Sequence, residues 1–155
     1  MSAPAVRLQL DDTSKRLIEL LQEDGRRSYG ELGRAVGLSE AATRQRVSRM
    51  VDAGVIQIVA VTDPLQLGFH RMAMLGIRVT GDPRPVAAAL AEIDQLAYVV
   101  VTLGSFDILA EAVCEDDDAL VDLVLARIRA IPGITHVEPL HYAALYKDHY
   151  NWGTR

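Results

Sequence analysis

From Asp12 to Ala53 the apolar residues recur at helical spacing, and after Gly54 they fall into short runs. Leu17, Ile18, Leu20 and Leu21 form a wide apolar stripe on a first helix that opens at Leu10, Asp11 and Asp12 and stops at Asp24 and Gly25. In the second helix Leu32 and Val36 supply the buried side. Ser28 caps it, and Glu31 completes a capping box that satisfies two orphan amide donors. Gly37 suits the left-handed residue that ends this helix, Leu38 plugs the core, and Ser39 is a favoured N-cap for the next. The third helix runs from about Glu40 to Ala53, with Gly54 as its stop. At about 100° per residue, Thr43, Val47, Met50 and Gly54 fall on one side, and Ala41, Arg44, Gln45, Ser48 and Asp52 on the other.

Beyond Gly54 the β-branched run Val55 to Val61 predicts a strand, ended by Asp63 and Pro64. The pattern then predicts a strand at Arg71–Val79, a helix at Arg84–Ile93, strands at Ala97–Leu103 and Asp107–Cys114, a helix at Asp117–Ile131 and a strand at Ile134–Lys147. Asp82 and Pro83 suit the start of the fourth helix, and Pro132 with Gly133 ends the fifth. A βαββαβ order folds as a four-stranded antiparallel sheet with both helices on one face, the ferredoxin-like arrangement. The expected class is α+β. A winged helix-turn-helix of three helices occupies residues 1–54, a linker strand and hinge 55–68, and the βαββαβ domain 69–155. Met72, Met74, Ile77, Val79, Val99, Val101, Ile108 and Leu109 make the strands apolar on both sides, and dimerisation through the sheet would cover the second face. Met1 to Gln9, with Pro4, reads as a loose arm.

Composition narrows the picture. With 155 residues, half of them apolar, the chain is globular and long enough to bury about 70% of its unfolded surface. The formal charge of −5 argues against a protein that coats nucleic acid indiscriminately. Residues 1–54 nevertheless carry nine Lys and Arg against eight Asp and Glu, while residues 55–155 carry seven against thirteen. Within Ala41 to Met50 the positive charge of Arg44, Arg46 and Arg49 is unopposed. Cys114 is the sole cysteine, so no intramolecular disulfide forms. No apolar run is long enough to span a membrane, and no signal-like start is present, so a cytoplasmic location is expected.

The third helix presents small, amide and guanidinium side chains, which suits the major groove. Arg grips guanine O6 and N7 in a bidentate fork, Gln does the same for adenine, and short residues let the helix approach. Three arginines on one helix also describe the solvated face of an ordinary helical subdomain, and the pattern alone leaves both open. Gly104-Ser105-Phe106-Asp107 joins two expected strands. It reads as a tight hairpin with Gly104 at positive φ, or as amides and a carboxylate that grip a small zwitterion, and the residues alone favour the turn. Glu115 to Asp118 lacks the ligand spacing of a calcium loop and sits where a helix begins. His136 and His141 are five apart and on opposite faces of a strand, so with His149 and Cys114 they make a poor zinc site. Tyr142, Tyr146, Tyr150 and Trp152 line the last segment as core or interface residues. No nucleophile motif or phosphate loop occurs. Neither metal nor other cofactor is expected, and no enzymatic activity.

Taken in order, Leu10-Asp11, Asp24-Gly25-Arg26, Leu38-Ser39 with Arg46-Val47, Gly54-Val55-Ile56, Asp63-Pro64 with Leu67-Gly68, Gly104 with Asp107, and Ile131-Pro132-Gly133 resemble the Lrp/AsnC, or feast/famine, family of transcription regulators. The resemblance runs from Leu10 to the C-terminus. It implies an N-terminal DNA-binding domain, a linker strand often exchanged between partners, and a C-terminal domain for ligand sensing and oligomerisation. Homodimers that build into octamers are implied, with double-stranded promoter DNA as partner and no membrane. An amino acid or similar metabolite would bind between dimers near Leu103, Gly104, Ser105, Phe106 and Asp107, with His136 and Glu138 from the last strand. On that ground the ligand reading displaces the plain turn. Ser39, Arg44, Gln45 and Ser48 become the expected base-reading and docking residues, and Arg46, Arg49 and Arg34 the phosphate contacts. Three positions depart from the family pattern. Thr43 replaces an apolar β-branched residue, and Val137 and Pro139 replace threonines that line the effector pocket in some members. Two other classes stay open, an enzyme similar to the sirohaem decarboxylases and an architectural DNA-binding protein.

Overall fold

In a computed structural model, which describes residues 9–147 and 154, the chain divides into two compact units, one up to Val61 that the chain rejoins at Lys147, and one of Thr62–Tyr146. The arm up to Leu8 and the expected positions of His149, Tyr150 and Trp152 lie outside the described residues. In the first unit α1 (Asp12–Glu23), α2 (Tyr29–Val36) and α3 (Glu40–Asp52) begin where local side chains can satisfy the first amides. Asp11 accepts the Ser14 amide at 2.8 Å, Ser28 and Glu31 close the capping box, and Ser39 Oγ accepts the Ala42 amide at 3.2 Å. Gly37, at φ 73°, ends α2 in the left-handed conformation. Leu17, Ile18, Leu20, Leu32, Val47 and Met50 form the core between the three helices. Thr43 is fully buried among them, and its hydroxyl donates to the Ser39 carbonyl at 2.9 Å, which offsets the cost of burying a polar group.

The strand expected at Val55 to Val61 is not formed in the single chain. The Val55 and Ile56 amides turn back to the Met50 carbonyl and finish α3, and residues 57–61 have no neighbouring strand. Ile58, Val59 and Val61 are therefore exposed. A strand is stabilised by its ladder, and β-branched residues alone do not supply one.

The second unit is a four-stranded antiparallel sheet of β1 (Arg71–Val79), β2 (Leu96–Val101), β3 (Ile108–Cys114) and β4 (Ile134–His141) in the order β2-β3-β1-β4. Two helical segments connect the strands, α4 (Pro83–Ala91) and α5 (Asp117–Asp122), the latter running on as a π-helical stretch over Leu123–Ile128. Asp82 caps α4, and Asp116 caps α5, as the acidic run suggested. Ala73, Leu75, Ile77, Ile108, Ala110, Ala112 and Val137 meet Leu90, Leu123 and Ile128 in a second, separate core. β4 stops at His141 rather than at Lys147. β1 begins at Arg71, and after the Tyr142 amide donates to Met72 O no partner strand remains. The opposite sheet face is mixed rather than apolar: Met72, Met74 and Leu109 share it with Arg78, Glu111, His136 and Glu138.

Candidate nucleic-acid interface and sensing loop

Packing of Thr43, Val47 and Met50 against the core turns Ala41, Arg44, Gln45 and Ser48 outward on α3, where with Glu40 they form one shallow concave surface. Arg44 lies over the Tyr29 ring, 5.1 Å from its centroid, and its Nη2 donates to Glu40 Oε1 at 3.2 Å. Arg49 on α3 and Arg34 on α2 are exposed and form no salt bridge among the described residues. Ser39 sits exposed at the N-terminus of α3, where the helix dipole favours an anion.

Arg46, expected among the phosphate contacts, does not lie on that surface. Two residues along a helix turn the side chain by about 200°, and Arg46 faces α1. Its Nη1 donates to both oxygens of Asp11, at 2.7 and 2.6 Å, and to Ser14 Oγ at 2.9 Å. The side chain is 26% exposed, so the guanidinium ties α3 to the start of α1. Hydrogen bonds from Ser14, then Arg46, hold the Asp11 carboxyl at about 2, from an ordinary 3.8. A carboxyl lowered by folding stabilises the fold above its unfolded value and loses that contribution as pH falls through the folded one. Wild type should therefore lose thermal stability more steeply than Asp11→Asn between pH 3.8 and about 2. Parallel curves for the two proteins, followed by circular dichroism, would refute the tie.

In the second unit Thr102 to Asp107 forms the β2–β3 connection. The Thr102 amide donates to Asp107 O at 2.8 Å and its hydroxyl to Phe106 O. The reversal is spread over the four residues 103–106, and Gly104 is not among the glycines at positive φ. The expected left-handed Gly104 is thus corrected: longer hairpin loops built on a type I turn do not require it at that position. Leu103 is fully exposed at the tip. Asp107 is already engaged, since its Oδ2 accepts the Val79 amide at 2.8 Å and its own amide donates to Ile77 O at 2.9 Å.

Gly76 and Arg78 of β1, which no motif in the sequence marks, hold the loop. Phe106 packs on Gly76, where an added Cβ would stand 2.6 Å from the ring, and Arg78 lies 5.6 Å from the Phe106 ring centre and donates to Ser105 O at 3.0 Å. A glycine inside an otherwise apolar strand was the available signal, because it marks close approach by another group. His136 and Glu138 stand beside Arg78 and Gly76 in register, with their side chains 3.7 Å apart. Loop and strand therefore share one sheet face. Val137 and Pro139 point the other way, Val137 into the core. With Val121, Leu125 and Arg129 of the fifth helical segment they line a groove of about 440 Å³. Among the described residues no three His, Cys, Asp or Glu cluster as metal ligands, and no helix is long and apolar enough to cross a membrane.

Residues 10–51 match the AsnC-type helix-turn-helix domain, and residues 71–155 match a C-terminal dimeric alpha+beta barrel domain. A helix-turn-helix-type transcriptional regulator of Pyrococcus furiosus is 33% identical over 131 residues, 83% of this chain and 88% of the relative. The structure of Escherichia coli AsnC superposes with a TM-score of 0.78 at 26% identity, over 92% of this chain and 97% of that one. A Neisseria meningitidis transcriptional regulator solved in complex with L-Met has the same fold, with a TM-score of 0.79 at 24% identity, over 92% of this chain and 96% of that one.

Proposed function

This chain belongs to the Lrp/AsnC family of transcriptional regulators, and on that premise we propose that it reads one DNA sequence through α3 and answers to a small amino acid or related metabolite. The exposed surface of Ala41, Arg44, Gln45 and Ser48 carries the reading, because it combines base-reading side chains with small neighbours on one helix face. Arg44 takes guanine, Gln45 takes adenine, and Ser48 accepts either. Arg49, Arg34 and the Ser39 end of α3 hold phosphates and set the register. Arg46 leaves this list and stabilises the domain that carries it. In a homodimer two copies of α3 enter successive major grooves about 34–36 Å apart, so the operator is a rough palindrome.

The effector site is the sheet face between the Leu103–Asp107 loop and β4. Arg78 and His136 suit a carboxylate, Glu138 an ammonium, and Leu103 with Phe106 an apolar side chain. Asp107 shapes the loop rather than meeting the ligand. Assembly of dimers towards an octamer would close this open face over the ligand, and an effector acts only by favouring one assembly over another. The protein works in the cytoplasm without a cofactor.

Selection of bound duplexes from a random pool, followed by footprinting with and without each amino acid, tests both halves. The expected product is two inverted half-sites centred about one helical turn apart. One amino acid should alter the footprint and, at 100 times its dissociation constant, stabilise the protein by about 2.7 kcal/mol. Retention of duplexes with no shared sequence would instead indicate an architectural protein.

A further inference from the structure

We infer that Tyr29 and Glu40 are positioning residues that fix the direction of the Arg44 guanidinium and thereby set the sequence preference of α3. The inference rests on the reading of Arg44 as a base-contacting side chain. An unrestrained arginine on this surface would have a choice, because its long flexible stem reaches phosphates as easily as base edges. Here the choice is narrowed from two sides. Tyr29 is the first residue of α2, directly after the Ser28 cap, and its half-buried ring packs against the core of the three-helix unit. The ring is therefore a fixed platform. Arg44 lies over it at 5.1 Å, an arrangement that occupies the guanidinium face and leaves its N–H edges free.

Glu40 acts from the other side. It lies in the first turn of α3, one turn before Arg44, and engages Nη2 at 3.2 Å. Nη2 carries a second N–H, and with the neighbouring donor on that side it completes the parallel pair that a guanine edge takes in a bidentate contact. The Glu40 carboxylate also belongs to the same concave surface as Ala41, Arg44, Gln45 and Ser48. A negative charge there repels phosphate oxygens and leaves base edges as the favourable target for Arg44. Both groups thus act on specificity more than on total affinity.

The test compares the full-length protein with Tyr29→Phe, Tyr29→Leu, Glu40→Gln and Arg44→Ala on a selected operator and a scrambled duplex across a salt series. Tyr29→Phe keeps the ring and should keep the wild-type ratio of operator to scrambled affinity. Tyr29→Leu should lower that ratio by about two- to five-fold for each half-site, the factor that an exposed cation–π contact supplies, with the salt slope unchanged. Glu40→Gln should lower the ratio by strengthening binding to the scrambled duplex. Melting temperatures identify a Tyr29→Leu protein that has not folded, in which case the change at the exposed Glu40, Glu40→Gln, decides. A wild-type ratio in folded Tyr29→Leu or in Glu40→Gln, or an equal fall in Tyr29→Phe and Tyr29→Leu, overturns the inference. If Arg44→Ala keeps the ratio, the base-reading role itself fails. If it loses the ratio while the other variants do not, that role stands and the positioning claim fails alone.

Discussion

Arg44→Ala is expected to weaken operator binding by about 2–6 kcal/mol, because each bidentate arginine–guanine contact is worth about 1–3 kcal/mol of discrimination and a symmetric dimer loses it twice. Binding to scrambled DNA should fall far less, and the salt slope should barely move, since this arginine is not assigned to a phosphate. Arg49→Ala supplies the contrast. It should weaken operator and scrambled duplex alike and reduce the salt slope by about one for each copy. Fluorescence anisotropy with labelled duplexes over a range of salt separates the two patterns. An Arg44→Ala protein that lost affinity uniformly, with a shallower salt slope, would make Arg44 a phosphate contact and leave Gln45 and Ser48 as the readers. The structure adds a reason to prefer Arg44 for bases: its guanidinium is stacked on Tyr29 and held by Glu40, whereas Arg49 forms no salt bridge among the described residues.

A second large effect is expected in the other unit. Leu75 is fully buried at the middle of β1, between Ala110 on β3 and Pro139 on β4. Its small and cyclic neighbours offer little that could move into the space left by truncation. Leu75→Ala should therefore cost about 2–5 kcal/mol, from lost transfer energy together with the cavity. For a domain of this size that lowers the melting temperature by at least about 8 °C. The helix-turn-helix core shares no residue with the sheet core, so the loss should fall on the second unit. Differential scanning calorimetry should show the sheet unit melting early while the first unit keeps its transition. A single transition that moved as a whole would mean that the two units unfold together.

Most of the first unit was legible in advance because its determinants are local. The Ser28–Glu31 box, the Ser39 cap, the left-handed Gly37 and the alternation of Thr43, Val47 and Met50 with Arg44 and Ser48 all act within a few residues. The orientation of Arg46 lay within reach of the same reasoning, since its place two residues after Arg44 turns it away from the side that Arg44 occupies. Its partner Asp11 is 35 positions away, and no spacing rule pairs them. The Val55 to Val61 run shows the opposite failure. Local preference for extended backbone was correct in kind, but among the described residues no strand lies beside it to form a ladder.

The loop proposed to meet an effector was legible only in part. Gly104 and Asp107 marked the loop. Yet the amide that Asp107 accepts belongs to Val79, the ring of Phe106 rests on Gly76, and Arg78 reaches Ser105 from a neighbouring strand. Each of these contacts depends on the placement of β1 beside β3, which no short window of sequence contains. The same placement divides β4, sending His136 and Glu138 to the loop side and Val137 with Pro139 to the helix side. The two family departures in that strand therefore alter the helix-facing groove, not the loop face where the ligand is proposed to bind.

By itself, then, the sequence determined the three-helix unit, the βαββαβ order and the exposed side of α3, because caps and periodicity are short-range and each residue states its own preference. Only the tertiary structure decided that Arg46 ties α3 to α1, that Arg44 lies against Tyr29 and Glu40, and that Arg78 and Phe106 hold the β2–β3 loop. Those roles come from residues far apart in the chain, and they exist only once two packed cores have brought the side chains within a few ångströms of one another.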